Sequence, residues 1–264
     1  MLSWILIMLG TGLAAGVIGG LLGIGGCSII LPVLIFVFNY PEPIAIGTTI
    51  TAVIITAVTG AFTHARMKNV DHQTSAIVNV FGGIGAALGS IILALIISKI
   101  WLLDLILGAA FIYTALRMLY EGLRRRAVGG PSTGKSIPGS FAAKALLGFG
   151  VGLLAGLIGL GGGYLLVPSY IYFLHAPVKL AVGTSLESFI GLAVVSSGFK
   201  LAQKLVDVVT AIVLGVGIAV GVQIGAKLVP RTPAWAIKAL FGAIFFVVAV
   251  KFMLNGIYML LQAG

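Results

Sequence analysis

Ten apolar runs, separated by short polar stretches, fill most of this 264-residue chain. They lie at roughly 3–22, 27–39, 44–63, 73–98 and 101–121, and then at 143–158, 164–175, 179–199, 208–228 and 234–261. Most are long enough to cross the hydrocarbon core of a bilayer as helices, which takes about 20 residues. The second run of each set is only about a dozen residues, too short to span alone. Pro32 and Pro168 sit inside those two short runs. The pattern predicts an all-α polytopic membrane protein in two sets of five segments. Residues 3–22 lack a basic leader and a small-residue cleavage site, so they are expected to be mature structure, not a signal peptide.

The two sets are one pattern written twice. At an offset of 136, Gly12, Gly16 and Gly20 meet Gly148, Gly152 and Gly156, and Pro41 meets Pro177. Ala45-Ile46-Gly47-Thr48-Thr49 meets Ala181-Val182-Gly183-Thr184-Ser185, and Val70-Asp71 meets Val206-Asp207. Gly85 and Gly89 meet Gly221 and Gly225. After a slip of two, Gly108, Ala115, Arg117 and Gly122 meet Gly242, Ala249, Lys251 and Gly256. This is the signature of an internal duplication. The expected organisation is a first repeat at 1–122, a linker at 123–142 and a second repeat at 143–264.

Within that pattern, Gly23-Ile24-Gly25-Gly26-Cys27 and Gly159-Leu160-Gly161-Gly162-Gly163 stand out. Adjacent glycines break a helix and expose peptide groups. In lipid, such exposure is tolerated where the backbone lines a cavity or meets a ligand. Two breaks at matching places point to the binding site of a duplicated transporter. Segments one and two of each set then form broken or re-entrant units around the glycines. The wider Gly-xxx-Gly spacings instead put small residues on one helical face, which predicts close helix packing.

Composition agrees: 60% of residues are hydrophobic and 8% charged, and mean hydropathy is +1.21. The net charge of +10 is spread over short loops, where it reports orientation and not nucleic-acid binding. Arg124-Arg125-Arg126 opens the linker, which is therefore expected in the cytoplasm. With inverted repeats, Arg66, Lys68, Arg117, Arg124, Arg125, Arg126, Lys135, Lys144, Lys179, Lys227, Arg231 and Lys238 fall inside. That is twelve of the sixteen basic residues. A parallel arrangement places eleven inside; inversion also matches the usual transporter plan. The single cysteine, Cys27, rules out thiol-pair redox chemistry. His, Asp and Glu are too few and scattered for a metal site. No cofactor and no enzyme activity are expected.

The candidate substrate-binding residues are Gly23, Gly25, Gly26, Cys27, Thr48, Thr49, Gly159, Gly161, Gly162, Gly163, Thr184, Ser185 and Lys200. Free N–H groups of the glycine turns would face an anion, helped by the start of the short helix that follows. A tight hairpin without ligand is the plain alternative. The hydroxyls of Thr48, Thr49, Thr184 and Ser185 either donate to a substrate oxygen or bond their own backbone. His64, Arg66, Lys68 and Asp71, like Lys200, Lys204 and Asp207, fall in the loop after the third segment of each set. Most read as solvated, while Lys200 is placed to draw an anion into a pore. Glu187 lies in an apolar run opposite Thr51 of the first copy: it is the candidate for coupling protons or pairs with a nearby Lys, and the plain alternative is a solvated residue near the interface. Cys27 replaces a glycine of the second copy and also reads as a small packing residue.

The paired Gly-rich elements ending in Pro, the Ala-x-Gly-Thr-[Ser/Thr] elements and the Val-Asp after the third segment resemble the sulfite exporter TauE/SafE family of membrane permeases. The resemblance covers nearly the whole chain outside the linker. It implies a plasma-membrane transporter of two repeats that moves sulfur-containing anions such as sulfite or sulfonates. It carries over the two glycine clusters and the two Gly-Thr elements as site candidates; Cys27 departs from the symmetry. The expected function is secondary transport of such an anion, with the site between the repeats near the bilayer midplane. A passive anion channel is the alternative. The expected partners are the anion and the lipid bilayer, with a homo-oligomer left open and no nucleic acid.

Overall fold

A computed structural model describes residues 2–96, 100–124, 136–158 and 163–263. The described residues form ten α-helices and no strand. They are α1 (Leu2–Leu22), α2 (Cys27–Phe36), α3 (Glu42–Arg66), α4 (His72–Ile96), α5 (Ile100–Leu123), α6 (Phe141–Ile158), α7 (Gly163–Tyr172), α8 (Val178–Ala202), α9 (Val208–Leu228) and α10 (Ala234–Ala263). Among the described residues, six helices are long and apolar enough to cross a membrane. This is a multi-pass, all-α membrane protein.

The helices sort into two compact units, each drawing on both ends of the chain: residues 1–93 with 129–231, and 94–128 with 232–264. In the larger unit α1 runs parallel to α9. A Cβ added to Gly12 or Gly16 would lie 2.5 Å from the carbonyl oxygens of Leu214 and Ile218. Gly217, Gly221 and Gly225 press in the same way on Leu9, Leu13 and Val17. The helix α4 lies parallel to α6 through Gly85 and Gly89 against Phe149 and Leu153, with Gly152 and Gly156 against Gly82 and Ala86. The small-residue faces thus bring backbones together, as lipid-embedded helices require for tight packing. Each such face finds its partner in the opposite half of the sequence.

Helices α3 and α8 pack antiparallel: Thr51 Oγ1 meets Ser197 Oγ at 2.8 Å, while Gly60 faces Leu186. Both are longer than the apolar pattern suggested. The runs 44–63 and 179–199 extend to Arg66 and Ala202, so His64, Arg66 and Lys200 are helical, not loop residues. Hydropathy ends a segment at the first polar residue, but a buried polar side chain with a partner does not end a helix. The turns that follow match in detail. Lys68 and Lys204 both have φ of +57°, and Asn69 N–H and Leu205 N–H return to the carbonyls of His64 and Lys200.

In the smaller unit α5 and α10 pair antiparallel. Gly108 faces Met253 and Gly256 faces Asp104, while Gly122 faces Ala239 and Gly242 faces Leu119. The buried Glu121 bonds Lys238 Nζ at 2.9 Å, and Asn255 donates to Asp104 at 2.6 Å.

Candidate functional site

The first glycine cluster forms the turn between α1 and α2. Gly23, Gly25 and Gly26 have φ of +76°, +70° and +80°, a region that side chains disfavour. Ile24 N–H bonds Gly19 O at 3.0 Å. The N–H groups of Gly25 and Gly26 find no acceptor among the described residues. All five residues from Gly23 to Cys27 are buried. Gly26 is the N-cap of α2, so these N–H groups sit with the positive end of a helix.

The surroundings of the turn are not uniform. A Cβ on Gly23 would lie 2.6 Å from Val182 O and 2.7 Å from Ser185 Oγ. One on Gly25 would meet only side chains, Phe189 Cε1 at 3.4 Å and Thr56 Cγ2 at 3.8 Å. A Cβ added to Gly163, the first residue of α7, would lie 2.7 Å from Ile24 Cα and 2.9 Å from Gly23 O. The first turn and the end of the second therefore touch, backbone to backbone. Gly159, Gly161 and Gly162 lie outside the described residues. Cys27 is buried, and its thiol donates to Ile24 O at 2.9 Å. Its reading as a small residue that seals the turn fits that bond.

The four hydroxyl candidates separate. Thr184 Oγ1 accepts the N–H of Asp71 at 2.9 Å, and Thr48 Oγ1 accepts the N–H of Asp207 at 2.9 Å. These are the same bond at positions 136 apart, each tying a helix of one half to the loop of the other. Ser185 lies within donating distance of Gly23 O at 2.7 Å and Val182 O at 2.8 Å. It braces the glycine turn. Thr49 is fully buried, and among the described residues its hydroxyl has no partner. Thr56 and Ser196 are in the same condition.

Lys200 is fully buried in the last turn of α8 and donates to Gly156 O at 2.9 Å. Among the described residues it has no carboxylate partner. A cation near the C-terminal carbonyls of α6 is favourable, yet one carbonyl leaves a buried ammonium short of counter-charge. Ser196 sits one turn before it on the same face of α8. The position 136 before Lys200 holds His64, also fully buried, with Nε2 3.4 Å from Gly20 O and Nδ1 unpaired. Gly20 likewise lies 136 before Gly156.

Glu187 is not the desolvated carboxylate that its apolar run implied. Its side chain is 26% exposed and bonds His72 Nδ1 at 2.9 Å. The first turn of α4 descends beside it, which the hydropathy of α8 alone does not reveal. About two turns further along α4, Asn79 donates to Glu187 O at 2.9 Å and accepts from Gly191 N–H at 2.6 Å. It bridges the two backbone groups that one helical turn would join.

Asp71 and Asp207, expected as solvated loop residues, instead gather several donors each. Asp71 is 6% exposed. It accepts Thr74 Oγ1 at 2.6 Å, Thr74 N–H at 3.2 Å and Ile137 N–H at 2.7 Å. Asp207 accepts Thr210 Oγ1 at 2.7 Å, Thr210 N–H at 3.1 Å and the Tyr40 hydroxyl at 2.8 Å. Burial pushes both carboxyls up, but these donors outweigh it and hold both below the usual aspartate value. Tyr40 is pushed up by its own burial. The signal was present as Asp-x-x-Thr before each apolar run, a helix-start pattern.

Residues 8–252 match the family described as Sulfite exporter TauE/SafE. Among curated proteins, the chain is similar to the Probable membrane transporter protein YdhB of Bacillus subtilis, at 26% identity over 90% of this chain and 95% of that one. It is similar to the Probable membrane transporter protein YunE of the same organism, at 28% over 66% and 70%. A Probable membrane transporter protein of Xylella fastidiosa is 32% identical over 69% and 68%. No solved structure matches.

Proposed function

The chain belongs to the sulfite exporter TauE/SafE family, and from that premise we propose that it is a secondary transporter of small sulfur-containing anions in the plasma membrane. The observation that carries this reading is Lys200: a fully buried cation with no described carboxylate partner. An anionic substrate would supply the missing counter-charge, with strength that burial increases. Among the described residues, the N–H groups of Gly25 and Gly26 and the hydroxyls of Thr49, Thr56 and Ser196 have no partner, and such neutral donors suit a small oxyanion. Sulfite and sulfonates share that chemistry.

The site lies between two inverted repeats near the bilayer midplane. The antiparallel packing of α3 with α8, and of α5 with α10, supports inversion, because each pair is one segment and its copy. The contact of Gly163 with Gly23 supports a shared centre. Glu187, hydrogen-bonded to His72, is the coupling candidate, as a carboxylate within a membrane-spanning helix.

Flux into liposomes of sulfite, thiosulfate, sulfate and alkyl sulfonates, with and without a pH gradient, tests this. Saturable, gradient-dependent flux of one class is expected. Lys200→Met should weaken apparent affinity about ten- to hundredfold. Glu187→Gln should abolish the gradient dependence. Wild-type flux in Lys200→Met sinks the site; non-saturating flux indifferent to the gradient makes the protein a channel.

A further inference from the structure

A second cationic place lies at the far ends of α3 and α9. A cavity of about 190 Å³ is lined by Phe62, Thr63, Arg66, Met67, Gln223 and Lys227. The Arg66 guanidinium stacks 4.2 Å above the centre of the Phe62 ring, which holds the planar group in place. Among the described residues neither Arg66 nor Lys227 forms an ion pair, and no carboxylate lines the cavity. Two unneutralised cations thus share one small cavity. Phe62 is 58% exposed, on a helix that crosses the membrane, so one wall is open to acyl chains.

Further basic residues lie near it in the chain. Lys68 follows Arg66 in the turn after α3, and Arg231 follows Lys227. Lys179, at the start of α8, donates to Pro230 O at 2.7 Å just beyond α9. Five basic residues gather where α3 and α9 end and α8 begins. A basic cavity between helix ends, beside an apolar wall, has the features that hold an anionic lipid headgroup.

We propose that Arg66 and Lys227 bind the phosphate of an anionic phospholipid, with its acyl chain along Phe62. The alternative is that the two cations only neutralise the C-terminal ends of α3 and α9, in which case lipid charge has no effect. Native mass spectrometry and thermal unfolding of the full chain in neutral detergent distinguish them, with phosphatidylglycerol and phosphatidylcholine as probes. Phosphatidylglycerol should be retained and should raise the melting temperature; phosphatidylcholine should do neither. Arg66→Gln and Lys227→Gln should each weaken retention about fivefold, and the pair about thirtyfold. Arg66→Lys, which keeps the charge, should retain lipid better than Arg66→Gln. Equal retention of both lipids overturns the proposal, as does undiminished retention by a folded double variant. Inorganic phosphate that stabilises the protein as well as phosphatidylglycerol does would assign the cavity to a free anion and overturn the lipid reading.

Discussion

Thr48 and Thr49 are neighbours on α3, and burial treats them alike; hydrogen bonding does not. Thr48 holds the N–H of Asp207, whereas the Thr49 hydroxyl is unpaired. Replacing each by Val keeps the shape and removes the hydroxyl. Thr48→Val leaves a buried N–H without its acceptor and should cost about 1–3 kcal/mol in stability. Thr49→Val removes an unsatisfied group, so stability should hold or rise while anion flux falls. Thermal unfolding beside liposome flux checks both; loss of stability without loss of flux in Thr49→Val would place that residue in the fold alone. The glycine turns and the Gly-Thr elements were legible as places that matter, because adjacent glycines and repeated hydroxyls are conspicuous in apolar runs. Which hydroxyl is engaged was not. That depends on Asp71 and Asp207, each more than a hundred positions from the Thr oxygen it meets on another helix.

At the scale of elements, long apolar helices were readable from hydropathy, and their ends were not. The helices α3 and α8 continue through His64 and Lys200, because a buried side chain that finds a carbonyl inside the protein need not leave the membrane, while the exposed Arg66 rests on the Phe62 ring. The starts of α4 and α9 are set by Asp71 and Asp207, whose carboxylates gather donors from their own first turn and from Ile137 or Tyr40. Both carboxyls are held below their ordinary value, so their contribution is fully present above the unfolded-state value, about 3.9. It is lost as pH falls through the lower folded-state values. Melting temperature should therefore change little from these groups between pH 7 and pH 5, and drop below about pH 4. Asp71→Asn should lower stability at neutral pH by about 1–2 kcal/mol and flatten the acid slope. An unchanged acid profile in that variant would remove Asp71 from the stabilising set.

For the whole molecule, the repeat was visible in the sequence as an offset of 136, and the exchange of partners was not. Small-residue faces announce that a helix is closely packed without naming what it packs on. Here α1 lies on α9 and α4 on α6, and the Thr–Asp bonds cross between halves in both directions. Cutting the chain in its linker severs none of these contacts. Fragments 1–128 and 136–264 expressed together should co-purify and restore flux, and each alone should be degraded. A first fragment that is stable by itself would contradict this dependence.

The pairing of α1 with α9 also sets the order of events during synthesis. The glycine face of α1 enters the bilayer about 200 residues before the helix that covers it is made. At 5–20 residues per second, that is roughly ten to forty seconds with a backbone-thin face turned to lipid. During this interval the nascent chain carries this one surface of α1, shaped for a partner that does not yet exist. Its safest temporary occupant is a chaperone of the insertion machinery, and a ribosome stalled before codon 208 would leave that surface uncovered for membrane proteases to find.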